Sequence, residues 1–382
     1  MLKLFGKAIS VEGIQAHRMQ VSLTTQSNLP VPLRQGKAYL VKDGTIPPGF
    51  DHYIVFETRL KDLPEGAACT VLDAEFLYLD DQDVISLGQD GHVRSLFRAN
   101  SPHNSILLTE QCNNYCLMCS QPPKRVDDHW LLNEAMETIR RIPRETESLG
   151  ITGGEPTLFG DNFIALLRHI KNWLPRISLH VLSNGRRFAD AEFAEKYASV
   201  QHPDLMVGIP VYSADPARHD YVVQAHGAFD ETIRGILNLK RLGQKVEIRV
   251  VLHKQTVSAL PELAEFIARN LLFVDHVALM GLEMTGFTRA NLDALWIDPA
   301  EYRQELSRSV RILRAYGLKT SVYNHPLCLV NRDVEPNYVK SISDWKNEFA
   351  QECAPCTRKS ECGGFFSSGI QHGYSQSISP FQ

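Results

Sequence analysis

The sequence predicts an α/β fold with three parts: a β-rich N-terminal domain (1–104), a parallel sheet of strand–helix units (105–317) and a short C-terminal cysteine-bearing region with tail (318–382). Three observations lead there. Runs before residue 100 are strand-like, with Gly and Pro punctuation and no long helical pattern. From Ser105 apolar runs alternate with stretches of helical periodicity, the order that builds a parallel sheet covered by helices. Beyond Leu318 the patterning fades into a segment rich in cysteine.

In the N-terminal part, KAYLV, DHYIVFE, CTVLDAEFLYL and the pair DVISL/HVRSLF around the turn GQDG carry the β-branched and aromatic residues of strands. In the second part, SILLT, LGITG, ISLHVLS, LMVGIPVYS, VEIRVVL and VDHVALMG read as six buried strands. Helices are expected at 131–141, 161–173, 190–199, 229–242, 259–271 and 299–316, where apolar residues recur at helical spacing. Six such units close into a partial or full barrel or form an open doubly wound sheet, and in each case ligands gather at the strands' C-terminal ends. The last residues, SSGIQHGYSQSISPFQ, read as a polar tail.

Composition narrows the class. The 382-residue chain is 43% hydrophobic and 22% charged, ordinary for a globular protein with buried cores. A net charge of -4 gives no general attraction for nucleic acid or an anionic membrane. No run reaches the roughly 18 apolar residues of a membrane span, and the N-terminus lacks the apolar core of a signal peptide, so a cytoplasmic protein is expected. Seven of the eight cysteines fall into two sets, which in a reducing compartment points to metal rather than disulfides. Cys69 stands alone and reads as core packing.

The first set, Cys112, Cys116 and Cys119, follows the first strand of the alternating region. One short loop can bring three thiolates to one cluster, a ligand short of the four that close a zinc site or a fully ligated four-iron cluster. Buried structural cysteines, or a zinc knuckle completed by His103 or His129, are the alternative. At the next strand end stand Gly153, Gly154, Glu155 and Pro156, where glycines admit close backbone approach and Glu155 or the carbonyls can accept from an ammonium group; a plain turn is the alternative. Ser183 and Asn184 suit ribose hydroxyls or a simple turn, and Ser213 ends the fourth strand. Arg249 interrupts an apolar strand and so needs a carboxylate, from the protein or from a ligand. Tyr212 and His219 lie in reach of relay chemistry, and Glu283 and Met284 end the sixth strand. The second set is Cys328, Cys353, Cys356 and Cys362, enough thiolates to close a site of zinc or of iron and sulfur.

These motifs resemble the radical S-adenosylmethionine enzymes, whose hallmark C-x3-C-x2-C loop is matched by Cys112, Cys116 and Cys119 and followed by GGEP. The resemblance covers roughly 105–317 and implies a partial (β/α)6 TIM-like barrel. It implies a [4Fe-4S] cluster on those thiolates with one open iron, chelated by S-adenosylmethionine, and a flavodoxin- or ferredoxin-type reductant. By motif position, Gly153 to Pro156 hold the methionyl amine, Ser183 and Asn184 the ribose, and Arg249 the carboxylate. Met118 stands where the family usually places an aromatic residue beside adenine. The C-x2-C-x5-C run of the second set resembles the SPASM and twitch regions, which implies one auxiliary [4Fe-4S] cluster.

The runs LLTEQCNNYCLMCSQPPK, ALMGLEMTGFTRAN and YNHPLC resemble the HxsC-type maturases of the His-Xaa-Ser repeat peptide system. That resemblance implies a precursor peptide as substrate and a second radical maturase as partner. The N-terminal β region is expected to bind a leader peptide by strand addition or to cap the barrel. Two rivals share parts of the pattern: a radical enzyme acting on RNA or a small metabolite, and a non-enzymatic zinc-binding interaction protein. The acidic balance weighs against RNA.

Overall fold

The computed structural model describes all residues except 1–3, 15–16, 43, 45 and 341–346. Its N-terminal part is an eight-stranded mixed sheet of β1 (Phe5–Lys7), β2 (Ser10–Val11), β3 (Arg18–Thr24), β4 (Lys37–Leu40), β5 (Tyr53–Phe56), β6 (Cys69–Leu72), β7 (Val84–Gly88) and β8 (His92–Phe97). The spatial order is β1-β8-β7-β3-β4-β5-β6-β2. The expected strands are present, except that CTVLDAEFLYL is a strand only over Cys69–Leu72 and turns at Ala74–Phe76; β7 and β8 pair as an antiparallel hairpin. β3, which sequence patterning had not marked, sits in the middle of the sheet between β7 and β4. Alternation drives two apolar faces: Leu23, Leu40, Ile54, Leu72 and Ile85 fill one, and Tyr39, Tyr53, Val55, Cys69 and Val71 the other. The edges are β1 and β2, of three and two residues. Edges so short expose few unpaired backbone groups, which weakens the expectation of leader binding by strand addition.

The second sheet is wholly parallel and in strict chain order, from β9 (Ser105–Leu107) through β10 (Ser148–Thr152), β11 (Ser178–Leu182), β12 (Leu205–Pro210), β13 (Lys245–Leu252) and β14 (His276–Gly281) to β15 (Thr320–Tyr323). Between them run α1 (His129–Arg141), α2 (Asp161–Trp173), α3 (Ala191–Ala198), α4 (Pro216–Val223), α5 (Ala228–Arg241), α6 (Leu260–Asn270), α7 (Phe287–Ala290), α8 (Leu292–Leu295) and α9 (Arg303–Ala315), and α10 (Ser367–His372) follows β15. This is the α/β partial barrel the sequence predicts, with the six expected strands and a seventh, β15, paired to β14 beyond Gly317. β15 is short and half polar, TSVY, so alternation could not announce it. The short α4 also escaped pattern reading.

Residue parity sorts the barrel strands. Along β13, Val246, Ile248, Val250 and Leu252 pack outward into the helix layer, whereas Glu247, Arg249 and Val251 take the opposite face. The N-terminal sheet joins that core through Val84 and Phe97. It also docks on α1: Arg18 lies over the Trp130 ring at 3.4 Å, Arg94 pairs with Glu134 at 2.5 Å, and Gln20 Nε2 donates to the Glu134 carbonyl. α1 in turn starts directly after the first cysteine loop, so the N-terminal sheet braces that side of the barrel.

Four of the buried histidines are pulled by burial from 6.5 to about 4: His52, His219, His253 and His325. Each therefore takes a proton in the unfolded chain below 6.5 but not in the fold until near 4. Their contribution to stability is intact above pH 6.5 and is lost as pH falls towards 4, at up to about 1.4 kcal/mol per pH unit per histidine. Urea midpoints should drop between pH 7 and pH 5; a flat midpoint across that interval contradicts the reading.

Candidate active site at the barrel mouth

The loop from β9 to α1 carries Cys112, Cys116 and Cys119 at the C-terminal end of the sheet, where the sequence placed them. It lacks a ladder of its own, so its backbone and side groups are held by four neighbours. The first is β10: Leu108 N–H donates to the Thr152 carbonyl, Gly154 N–H to that of Thr109, and Glu155 N–H to that of Gln111, each at 2.8–2.9 Å. The approach requires glycine. A Cβ on Gly153 would stand 2.4 Å from the Thr109 oxygen and one on Gly154 2.0 Å from the Gln111 oxygen.

The second holder is Asp128, which receives Thr109 Oγ1 (2.9 Å), the Glu110 N–H (2.5 Å) and Gln111 Nε2 (3.0 Å). Burial pushes its carboxyl up, but these hydrogen bonds outweigh burial and leave it below the ordinary value. The third is Arg186, after β11, which donates to the Asn113 carbonyl (2.8 Å) and Asn114 Oδ1 (2.7 Å) and pairs with Glu231. The fourth is the rim beyond β12 and β14. Tyr115 and Leu117 N–H groups donate to the Val223 and Val222 carbonyls, Phe287 N–H to the Cys119 carbonyl, Thr288 Oγ1 to that of Met118, and Asn291 Nδ2 to that of Leu117. Asp128, Arg186, Thr288 and Asn291 escaped sequence reading, although the last two lie in the run GLEMTGFTRAN that carried the family resemblance.

Glu155 occupies a different place from the one expected. Its side chain is 1% exposed and accepts from Thr157 N–H (3.0 Å), Thr157 Oγ1 (2.6 Å), Ser183 Oγ (2.9 Å) and Asn184 N–H (2.6 Å). Burial raises its pKa, and the four donors oppose the rise. The carboxylate is thus engaged within the protein and ties the end of β10 to that of β11. Acceptors for an incoming ammonium are left to the carbonyls of the Gly153–Gly154 turn. Pro156 is buried, Ser183 Oγ also accepts from Gly185 N–H, and Asn184 Nδ2 donates to Asn113 Oδ1. Ser213 is buried with its Oγ accepting from Asp215 N–H, which shapes the turn into α4.

Arg249 finds the protein carboxylate that a strand arginine needs: Nη1 meets Glu247 Oε1 at 3.0 Å. Glu247 also takes His276 Nδ1 at 2.6 Å, and His276 reaches Ser321. Burial raises Glu247, but the His276 hydrogen bond and the Arg249 charge more than offset it. Among the described residues the other arm of Arg249, Nη2, meets only the Met280 sulfur at 3.1 Å, a weak acceptor, so it keeps donor capacity for an anion. Met118 is buried with Tyr212, Val222, Val223 and Leu295, beside Cys116. His219 is buried, its Nδ1 accepts from Tyr212 N–H, and burial lowers its pKa to about 4, the features of a structural imidazole.

Burial raises Cys112 to about 11 and Cys116 to about 12, and raises Cys119 as well. Such thiols keep their protons until a cation takes their place. Asn114 N–H points at Cys112 Sγ (3.4 Å), a donor suited to a bound thiolate. The donor set, soft sulfur on one loop, fits iron of a cluster. Among the described residues no group of three or more His, Cys, Asp or Glu side chains is gathered tightly enough to hold a single metal ion.

The second set also comes together. Cys328, Cys353, Cys356 and Cys362 line one cleft of about 350 Å³ with Phe349 and Phe365. Leu327 and Gly364 N–H groups both point at Cys362 Sγ, at 3.2 and 3.3 Å. The final residues are not a free polar tail: Ile378, Pro380 and Phe381 line the same cleft, and the Phe381 carbonyl accepts from Thr357 N–H. Among the described residues no helix is long and apolar enough to cross a membrane.

Fold and site together define an α/β partial barrel with a three-thiol loop at its mouth. Residues 106–267 match the model of the Radical SAM superfamily. Among curated proteins, the chain is 28% identical over 271 residues to the pre-heme d1 synthase of Dinoroseobacter shibae, covering 69% of this chain and 63% of that protein. It is 31% identical over 155 residues to the GTP 3',8-cyclase of Haemophilus influenzae, covering 39% and 44%. The chain thus spans less than two thirds of the length of these relatives. Among solved structures, Streptococcus suis SuiB bound to S-adenosylmethionine aligns with a TM-score of 0.47 and 20% identity over 57% of this chain and 49% of that one. Native anSMEcpe with bound AdoMet aligns with a TM-score of 0.44 and 16% identity over 57% and 62%.

Two substitutions test the scaffold. Gly154→Ala forces a methyl against the Gln111 carbonyl and should lower iron incorporation while leaving far-ultraviolet circular dichroism unchanged. Glu155→Gln places an amide N–H against donors and should cost about 2–3 kcal/mol in urea unfolding; a loss below about 0.5 kcal/mol, the scale of a neutral surface change, contradicts the buried-hub role.

Proposed function

We propose that the chain is a radical S-adenosylmethionine enzyme that modifies a ribosomally made precursor peptide, of the His-Xaa-Ser repeat type. The observation that carries the enzyme reading is the three-thiol loop pinned against Gly153–Gly154 at the mouth of a parallel barrel, within the stretch that matches the superfamily model. Cys112, Cys116 and Cys119 would hold a [4Fe-4S] cluster and leave one iron open. When bound, the cluster and S-adenosylmethionine would supply one-electron reductive cleavage and hydrogen-atom abstraction chemistry.

The chain's own residues have narrower tasks. The Gly153–Gly154 turn offers carbonyls to the methionyl amine, while Glu155 fixes Ser183 and Asn184 towards the ribose. Met118 supplies apolar surface for the adenine side. Arg249, held from behind by Glu247, presents Nη2 to a carboxylate. The N–H groups at Cys112 and Cys362 stabilise thiolate charge, and the apolar packing round Met118 keeps water from the reacting atoms. Cys328, Cys353, Cys356 and Cys362 would hold an auxiliary [4Fe-4S] cluster, of the twitch kind, shielded by the C-terminal residues. A flavodoxin- or ferredoxin-type protein would supply electrons, and a second radical maturase would share the precursor.

Support for the peptide comes from the HxsC-like runs, two of which build the rim: GLEMTGFTRAN fastens the cysteine loop, and YNHPLC carries Cys328. A second reading, turnover of a small molecule, is favoured by the sequence similarity to a GTP cyclase and a pre-heme d1 synthase. Anaerobic turnover separates them. Release of 5'-deoxyadenosine stimulated by a His-Xaa-Ser precursor, with a changed peptide mass, supports the first; stimulation by GTP or a tetrapyrrole alone supports the second.

Replacing Cys112, Cys116 and Cys119 by Ala should abolish reductive cleavage and leave the iron of the second set in place, as read by 5'-deoxyadenosine release and iron analysis. Retained cleavage overturns the assignment. Cys356→Ala should lower iron content without removing cleavage of S-adenosylmethionine in the absence of substrate; an unchanged iron count shows that Cys356 ligates nothing.

A further inference from the structure

A cleft lies where the rim of β13, β14 and β15 meets the C-terminal region, and none of the three-thiol loop, the Gly153 turn, Ser183 or Arg249 lines it. Its walls are the backs of the two cysteine sites. On one side stands Leu282, which packs in the same apolar cluster as Met118 and Cys116. On the other are Gly363 and Gly364, directly after Cys362.

The lining has a definite chemistry. Five rings face the space: Trp296, Tyr302, Phe365, Phe366 and Tyr374. The described lining residues include no carboxylate and no guanidinium, and the single ammonium, Lys340, donates to the Ser360 carbonyl at 2.8 Å. Among the described residues this aromatic wall carries no balancing charge for an anion, so it favours a neutral planar group and disfavours phosphates and carboxylates, whose burial needs paired charge. A nucleoside triphosphate or a polyacid macrocycle lacks the partners it requires here, whereas a polypeptide can deliver a neutral ring on an uncharged backbone.

We propose that this cavity receives a neutral aromatic side chain of the substrate polypeptide and anchors that chain across the two cysteine sites. The proposal rests on the peptide reading above. Gly369, on α10, lines the cavity, and a Cβ added there meets only Phe365 Cβ, at 3.9 Å. Gly369→Phe can therefore fill the space from a helix that tolerates a side chain. Phe366→Ser removes a ring from the wall instead.

The probes are p-cresol, as the tyrosine side chain, and methyl phosphate, followed by ligand-observed NMR, with circular dichroism as the control for folding. The purified wild-type chain should bind p-cresol, Gly369→Phe and Phe366→Ser should each weaken it by about tenfold or more, and methyl phosphate should find no site there. Equal p-cresol binding in all three proteins, or a wild type without p-cresol binding, overturns the proposal. Displacement of p-cresol by a His-Xaa-Ser precursor supports the cavity and the peptide reading together. A precursor that stimulates 5'-deoxyadenosine release but leaves p-cresol in place overturns the cavity's role and keeps the peptide reading. A precursor that does neither overturns both.

Discussion

A loop that must offer three thiols to one ligand cannot also form a strand or helix, so its backbone groups need partners from elsewhere. The segment from Thr109 to Ser120 obtains them from the ends of β10, β11, β12 and β14 in turn. Asp128 and Glu155 are the two buried hubs of this arrangement, each a carboxylate surrounded by donors. A buried carboxylate is costly unless satisfied, and satisfying it is what locks strand end to strand end. The geometry of the mouth therefore follows from the parallel sheet, whose strands all end on the side where the loop lies.

The same logic runs through the lumen. Outward positions of the strands are apolar because helices cover them, while inward positions are free to be polar. Glu247, Arg249, His276 and Ser321 use that freedom and satisfy one another across three strands. Arg249 is at once a structural ion-pair partner and a donor with unused capacity, and its two arms explain how both readings of a strand arginine hold at one residue.

Much of the site was legible because its residues sit in short local patterns. The spacing of Cys112, Cys116 and Cys119, the glycine pair and the second cysteine set are visible without a structure. Residues that act by reaching across the fold were not. Asp128 and Arg186 are ordinary charges in sequence, and only the packing shows them holding the loop. Glu155 was ambiguous for the same reason: a carboxylate beside two glycines can face a ligand or the protein, and its four donors come from Thr157, Ser183 and Asn184, two of those residues nearly thirty positions away, at 28 and 29. The C-terminal residues looked polar, yet the apolar ones among them, Ile378, Pro380 and Phe381, all turn to one cleft.

By itself the sequence determined the alternation of strand and helix, the parallel sheet and the two thiol sets, because hydrophobic period and cysteine spacing are local properties of the chain. Tertiary structure decided the seventh strand, the docking of the N-terminal sheet on α1, the inward role of Glu155 and the aromatic cavity between the two cysteine sites. Each of those depends on which distant groups satisfy a buried charge or cover an apolar face, and that pairing exists only once the chain has closed on itself.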